Sequence, residues 1–217
     1  MSGQNKIDLS KVRREYGRGE LLESKILADP VVQFGVWFRE AQAAEVEPNA
    51  MTLATVDASG APSARVVLLK AVETDAFVFI TNYTSRKGRE LEVNPRAALV
   101  FFWPTLERQV RIEGRVDKIA RNESEVYFYA RPHAAQIAAL TSRQSQTIAS
   151  RPELERRNAE TEAKYAGQQV PLPEFWGGYR LVPSGMEFWQ GRAGRLHDRI
   201  VYARQGDHSW QIRRLQP

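Results

Sequence analysis

Cysteine is absent from this chain of 217 residues, and histidine occurs only three times. With no thiol there is no disulfide, no thiolate nucleophile and no cysteine-ligated zinc. His133, His197 and His208 lie too far apart to suggest a metal site by local spacing, so no metal is expected. No apolar run approaches the ~20 residues of a membrane helix, and the polar N-terminus MSGQNKIDLSKVRREYGRGE lacks a signal-peptide core. A cytoplasmic protein without a membrane partner is the expectation. Missing as well are the GxGxxG and GxxxxGKS/T phosphate loops, an HExxH helix and a GxSxG elbow. If the chain is an enzyme, a bound organic cofactor carries the difficult chemistry while the protein orients and neutralises it.

What is present is arginine. Lys+Arg number 31 against 26 Asp+Glu, a net charge of +5, and 24 of the 31 are Arg. Arginine grips phosphate and carboxylate through two parallel N–H bonds, which lysine cannot do. The basic residues are spread along the chain, with no cluster, zinc-finger spacing or aromatic RNA-binding signature. Nucleic acid is therefore not expected, and a small phosphorylated ligand fits better.

Periodicity divides the chain. Residues 1–28 read as a mobile arm with a short helical piece around KVRREY, and 29–217 as a single domain with no repeat or linker. Asp29–Pro30 is a helix start, an N-cap before a first-turn proline. Phe34, Trp37, Phe38 and Ala41 then recur at helical spacing to about Val46. MTLATVD and ARVVLLKAV predict a hairpin, AFVFITN a third strand, and TSRKGRELEVN a short helix closed by Pro95. ALVFFW and RQVRIEGRVDKI add strands. Residues 122–167 are helical, broken at Arg131–Pro132 and Arg151–Pro152, and YRLVP, MEFWQ, RLHDRIVYAR and SWQIRRL return to strand. Hairpin-linked strands with grouped helices predict a mainly antiparallel sheet, most compactly a closed barrel flanked by helices.

Four polar stretches are candidate cofactor contacts. In ARVVLLK, Arg65 and Lys70 bracket an apolar strand, on opposite faces unless a bulge intervenes. In TSRKG, Thr84, Ser85, Arg86 and Lys87 sit at a helix start, where amides and the helix dipole favour phosphate; a capped surface helix would look the same. SRQSQ, with Gln144 and Ser145, reads alone as a polar loop. Last comes FWQG followed by RLHDR. As a strand, RLHDR puts Arg195, His197 and Arg199 on one face and Leu196, Asp198 and Ile200 on the other, either an anion grip or a solvated face.

Taken in order, RREY, EPNAMTLATVD, RVVLLK, FITNYTSRKG, NPRAALVFFW, LERQVRIEG, YFYARP, RQSQ, VPLPEFWGGYRL and FWQG…RLHDR resemble the pyridoxine/pyridoxamine 5′-phosphate oxidase family from about residue 13 to the end. The resemblance implies an FMN-binding split β-barrel, mainly β with flanking helices, and a homodimer with FMN sites at the interface. It also implies aerobic synthesis of pyridoxal 5′-phosphate from phosphorylated B6 vitamers and O2. By the same resemblance, Arg65, Val66, Val67, Leu68, Leu69 and Lys70 run beneath the flavin, with Arg65 on its phosphate. Ile80 and Thr81 match a flavin-contacting strand end, and Arg86 and Lys87 further phosphate ligands. Gln109, Gln144, Ser145, Trp189 and Arg199 match other FMN contacts, some from the partner subunit.

For substrate, the resemblance implies that Lys70, Tyr127 and Arg131 hold the phosphate. Arg195 and His197, with Leu196 between them, surround the pyridine as the catalytic pair. Arg13, Arg14, Glu15 and Tyr16 match an arm that folds over the occupied site. Ala135 departs from the pattern, standing where the family commonly has a serine that contacts the substrate phosphate. Two other readings fit the same motifs: a related split-barrel reductase using NAD(P)H, and a non-catalytic flavin or pyridoxal-phosphate carrier.

Overall fold

A computed structural model describes residues 7–217; residues 1–6 of the expected arm lie outside the described residues. Among the described residues are eight strands and five α-helices: α1 (Pro30–Ala44), β1 (Ala50–Val56), β2 (Pro62–Val72), β3 (Phe77–Asn82), α2 (Arg86–Val93), β4 (Arg96–Trp103) and β5 (Arg108–Lys118) come first. Then follow α3 (Arg121–Tyr129), α4 (His133–Thr141), α5 (Arg151–Lys164), β6 (Trp176–Gln190), β7 (Asp198–Arg204) and β8 (Trp210–Arg214). The strand order is β3-β2-β1-β4-β5-β6-β7-β8, and β3 also pairs with β6. That extra pairing closes six antiparallel strands into a barrel, and β7 and β8 continue beyond it. The protein is a split β-barrel with flanking helices.

Strand β6 makes the split. Its first part, Trp176–Leu181, pairs with β3, whereas Gly185–Gln190 pairs with β7. Pro183 lies between the two parts, and the register with β5 shifts at Glu113/Gly114 beside it. YRLVP and MEFWQ, separate in the sequence reading, are thus one continuous strand of 15 residues.

Alternation decides what faces inward. Along β1, Met51, Leu53 and Thr55 are buried and the residues between them half-buried. Helix α1 starts as predicted, with the Asp29 carboxylate accepting the Val31 and Val32 amides. It lays Phe34 into the core, 5.0 Å from the rings of both Phe77 and Phe101. Trp37 meets Phe188 at 5.2 Å. Each such buried aromatic contributes about 1.5–3 kcal/mol. A second cluster, Phe128, Ile137, Val170 and Trp176, ties α3 and α4 to the start of β6.

Two local expectations fail. KVRREY is not helical. The chain just after it gives its amides to a distant carboxylate: those of Gly17 and Arg18 bond Glu107. RLHDR is not a continuous strand either. Gly194 and Arg195 both adopt left-handed backbone, at φ 64° and 63°, and β7 begins only at Asp198. Two successive left-handed residues turn the chain, so period-2 alternation cannot run through Arg195 and His197.

Candidate functional site

A cavity of about 830 Å³ opens where β2, β3, α2, α3 and the α4–α5 loop meet. Its walls include Arg65, Val66, Val67, Leu68, Lys70, Ile80, Thr81 and Lys87, together with Tyr127, Arg131, Gln144 and Ser145. Arg65 and Lys70 both line this wall, as do Val66, Val67 and Leu68 between them, and the β2–β3 register shifts between Leu69 and Ala71, at Lys70. Leu69 points into the barrel core and is 5% exposed.

The cationic end of the cavity is built on α2. Ser85 caps the helix, its hydroxyl accepting the Gly88 amide. Lys87 is buried, and its ammonium donates to Thr81 Oγ1 at 3.0 Å and Gln144 Oε1 at 2.8 Å. Neither partner is an anion. Burial first, and then the Arg65 charge, pull Lys87 down to about 8, with Glu90 opposing them. Arg65 reaches Glu90 Oε2 at 3.2 Å, and Arg86 reaches Glu90 Oε1 at 2.8 Å. Burial pushes the Glu90 carboxyl up; bonds from Thr55, Ser63 and Arg86 and the Arg65 charge outweigh it, leaving about 2. Arg86 therefore lies outside the cavity lining, its side chain largely exposed.

The other end is the guanidinium of Arg131, which has no hydrogen-bond partner for its buried Nη1 among the described residues. Burial lowers the guanidinium's pKa, and its Cζ stands 5.2 Å from the Trp176 ring. Tyr127, whose hydroxyl burial pushes up, shares the wall. A buried, unsatisfied cationic donor costs free energy unless an anion meets it. The cavity can thus hold an elongated ligand with anionic groups at both ends, and its volume falls within the range of cofactor sites. Ala135 is half-buried on α4, one turn before the lining residues Ala138 and Ala139, and is not itself among them.

The remaining candidate residues lie elsewhere, on the outer face of the sheet. Register places Phe102, Gln109, Trp189 and Arg199 directly opposite one another across β4, β5, β6 and β7. The His197 ring sits 4.8 Å from that of Trp189, and the Tyr16 ring lies 5.5 Å from Trp189 and 5.7 Å from His197. His197 Nδ1 accepts the Arg192 amide at 3.1 Å, so the neutral imidazole carries its proton on Nε2, free to donate. Arg199 forks onto Glu187 at 2.9 and 3.0 Å. Arg195 and Leu196 are exposed on the turn, as are Arg13, Arg14 and Glu15 on the arm. Asp198 faces away and accepts the Leu21 amide while pairing with Arg214.

Within one chain these two clusters lie apart: none of Gln109, Trp189, Arg195, His197 or Arg199 lines the cavity. Ile80 of the cavity pairs with Gly178, and Trp189 comes eleven positions later along β6. At about 3.3 Å per residue that is roughly 36 Å of strand. The sequence reading missed Glu90, Glu187 and Glu107, the carboxylates that anchor the arginines and the arm. The spacing of Arg86 and Glu90, one helical turn apart, was the only signal for any of them.

Comparison with known proteins gives a consistent picture. A family model described as pyridoxamine 5′-phosphate oxidase matches residues 38–165. Another, described as the pyridoxine 5′-phosphate oxidase C-terminal dimerisation region, matches residues 176–217. The pyridoxine/pyridoxamine 5′-phosphate oxidase of Bordetella avium is 56% identical over 97% of this chain and 100% of its own length. That of Thermosynechococcus vestitus is 57% identical over 96% and 99%. Among solved structures, PhzG from Burkholderia lata in complex with tetrahydrophenazine-1-carboxylic acid superposes with a TM-score of 0.86 at 30% identity, covering 93% of this chain and 100% of that one. An FMN-binding pyridoxamine 5′-phosphate oxidase-related protein from Nostoc punctiforme shares the fold, with a TM-score of 0.71 at 17% identity over 88% and 98% of the two chains.

Proposed function

Because the chain belongs to the pyridoxine/pyridoxamine 5′-phosphate oxidase family, we propose that it uses FMN and O2 to oxidise pyridoxine 5′-phosphate and pyridoxamine 5′-phosphate to pyridoxal 5′-phosphate. Hydrogen peroxide is the co-product, and the amine substrate also consumes water and releases ammonia. The observation that carries this reading is the cavity with cations at both ends and an Arg131 whose buried Nη1 has no hydrogen-bond partner among the described residues.

In this reading Arg65 and Lys87 hold the FMN phosphate, with Thr81, Gln144 and Ser145 beside them, while Val66, Val67 and Leu68 underlie the ring. Lys70, Tyr127 and Arg131 hold the substrate phosphate. FMN held in the cavity would supply the two-electron acceptor for the substrate, with O2 as the final oxidant. The protein's own part is positioning and electrostatics. Arg195 closes over the pyridine, and His197 donates from Nε2 to a ring substituent. Ala135 does not line the cavity, and the grip on the substrate phosphate is left to Lys70, Tyr127 and Arg131.

The working unit in this proposal is a homodimer, with Gln109, Trp189, Arg195, His197 and Arg199 of one copy completing the cavity of the other. Two observations support it. The clusters lie far apart along β6, and the outer face of the sheet exposes apolar residues, Val66 at 67% and Phe102 at 53%. The described part of the arm, residues 7–28, then belongs to the site, and its Leu21 joins the core of the one domain formed by residues 29–217. None of the described helices is long and apolar enough to cross a membrane, and the proposed setting is the cytoplasm.

Purified protein incubated in air with either vitamer is expected to be yellow and to form pyridoxal 5′-phosphate and peroxide in equal amounts. Turnover that requires NAD(P)H would instead assign it as a reductase, and binding without turnover as a carrier.

A further inference from the structure

Glu107 is an anomaly in the short turn between β4 and β5. It is a non-glycine residue at φ 57°, and it is 4% exposed. A side chain in left-handed backbone and a carboxylate under cover are both unfavourable. Such an outlier persists where the surroundings hold it and often where it serves a purpose.

Its contacts show what it holds. Oε2 accepts the amides of Gly17 and Arg18 at 2.8 and 2.9 Å, and Oε1 lies 3.6 Å from Arg14. Its carbonyl accepts the Gly191 amide at 2.8 Å and the Gln190 side-chain amide at 3.2 Å. One residue thus links the arm to the end of β6, immediately after Trp189. Burial pushes the carboxyl up, and the two amides and the arginine charges more than reverse this, so it stays ionised as a latch. The latch also sets Tyr16. A Cβ added at Gly191 would stand 2.7 Å from Tyr16 Cγ, so that ring packs directly on the backbone, edge-on to Trp189 and His197.

We propose that Glu107 is a positioning residue: it latches the arm so that Tyr16 is set against His197 and Trp189 on the substrate side of the site. This rests on the assignment of His197 to substrate. The latch acts through Tyr16 and touches neither vitamer nor flavin. Losing it therefore weakens substrate binding in ground and transition states alike, which raises KM and leaves kcat close to wild type.

Glu107→Gly and Glu107→Gln in the full-length holoenzyme test this. Glycine removes the carboxylate and relieves the left-handed strain, so misfolding would not account for its effect. Glutamine keeps one acceptor oxygen and should rescue in part. Brief trypsin digestion reads release of the arm directly, through cleavage after Arg13, Arg14 and Arg18. In Glu107→Gly that cleavage should speed up roughly tenfold and KM for pyridoxine 5′-phosphate rise by a similar factor. FMN content should hold, and Glu107→Gln should fall between. Unchanged cleavage in Glu107→Gly overturns the latch, and faster cleavage with unchanged KM overturns its positioning role. Should the wild type form no pyridoxal 5′-phosphate, the proposed function fails, and the cleavage rate still decides the latch.

Discussion

Lys87→Ala is expected to weaken FMN binding about tenfold or more, measured by fluorescence titration of the apoprotein, and Arg65→Ala to do the same. Charge-assisted hydrogen bonds of this kind contribute roughly 1.5–3 kcal/mol each. Lys87 is the cleaner test, because its present partners are the neutral Thr81 and Gln144 and its removal strands no charge. Arg65→Ala also leaves the buried Glu90 with Arg86 as its remaining cationic partner, so some loss of stability should accompany the loss of affinity. The pH dependence carries the same signature. In the free site Lys87 loses its proton near pH 8. A phosphate dianion favours the charged amine and raises that value, so binding takes up a proton above pH 8. Affinity should then fall as pH rises from 8 toward 10, and the slope should vanish in Lys87→Ala. Wild-type affinity in both variants would remove these residues from the site.

His197→Ala and Arg195→Ala should lower kcat/KM by roughly 10- to 100-fold while leaving FMN affinity within about twofold. The selectivity follows from geometry. His197 spends Nδ1 on the Arg192 amide, which fixes both its tautomer and its tilt against Trp189. The Nε2 proton is then the group left to meet a ligand. Arg195 is exposed on a strained left-handed turn, placed to meet a ligand arriving from outside its own chain. Neither side chain lines the cationic end proposed for the flavin phosphate. Steady-state kinetics beside flavin content would check this, and intact kcat/KM in Arg195→Ala would remove it from the substrate site.

Much of the barrel was legible because alternation is local: Met51, Leu53 and Thr55 point inward on β1 as the strand period requires. The start of α1 was equally legible, since Asp29 and Pro30 act on their own helix. What failed to read was set by partners distant in sequence. The bulge at Lys70 exists only in the pairing of β2 with β3. KVRREY has a helical composition, yet the arm just beyond it is held extended by Glu107, some ninety residues away. In RLHDR the alternation was sound arithmetic on the wrong backbone. The preceding Gly194, in GRAGR, carries the turn signal. The candidate residues themselves came from the family resemblance. That they form two clusters, about 36 Å apart along β6, is visible in the strand register and not in the sequence.

The claim that each site is shared between two copies has a direct test. Arg131→Ala disables the cavity, and His197→Ala disables the outer-face cluster, so either homodimer should be strongly impaired. A mixed dimer places both defects in one site and leaves the other intact. Random assembly from equal amounts should restore about a quarter of wild-type sites. Activity of mixed dimers isolated by two different affinity tags, assayed as pyridoxal 5′-phosphate formed in air, is the measurement. Recovery well above either variant is the predicted result. Isolated mixed dimers no more active than the mean of the two variants would contradict the shared site.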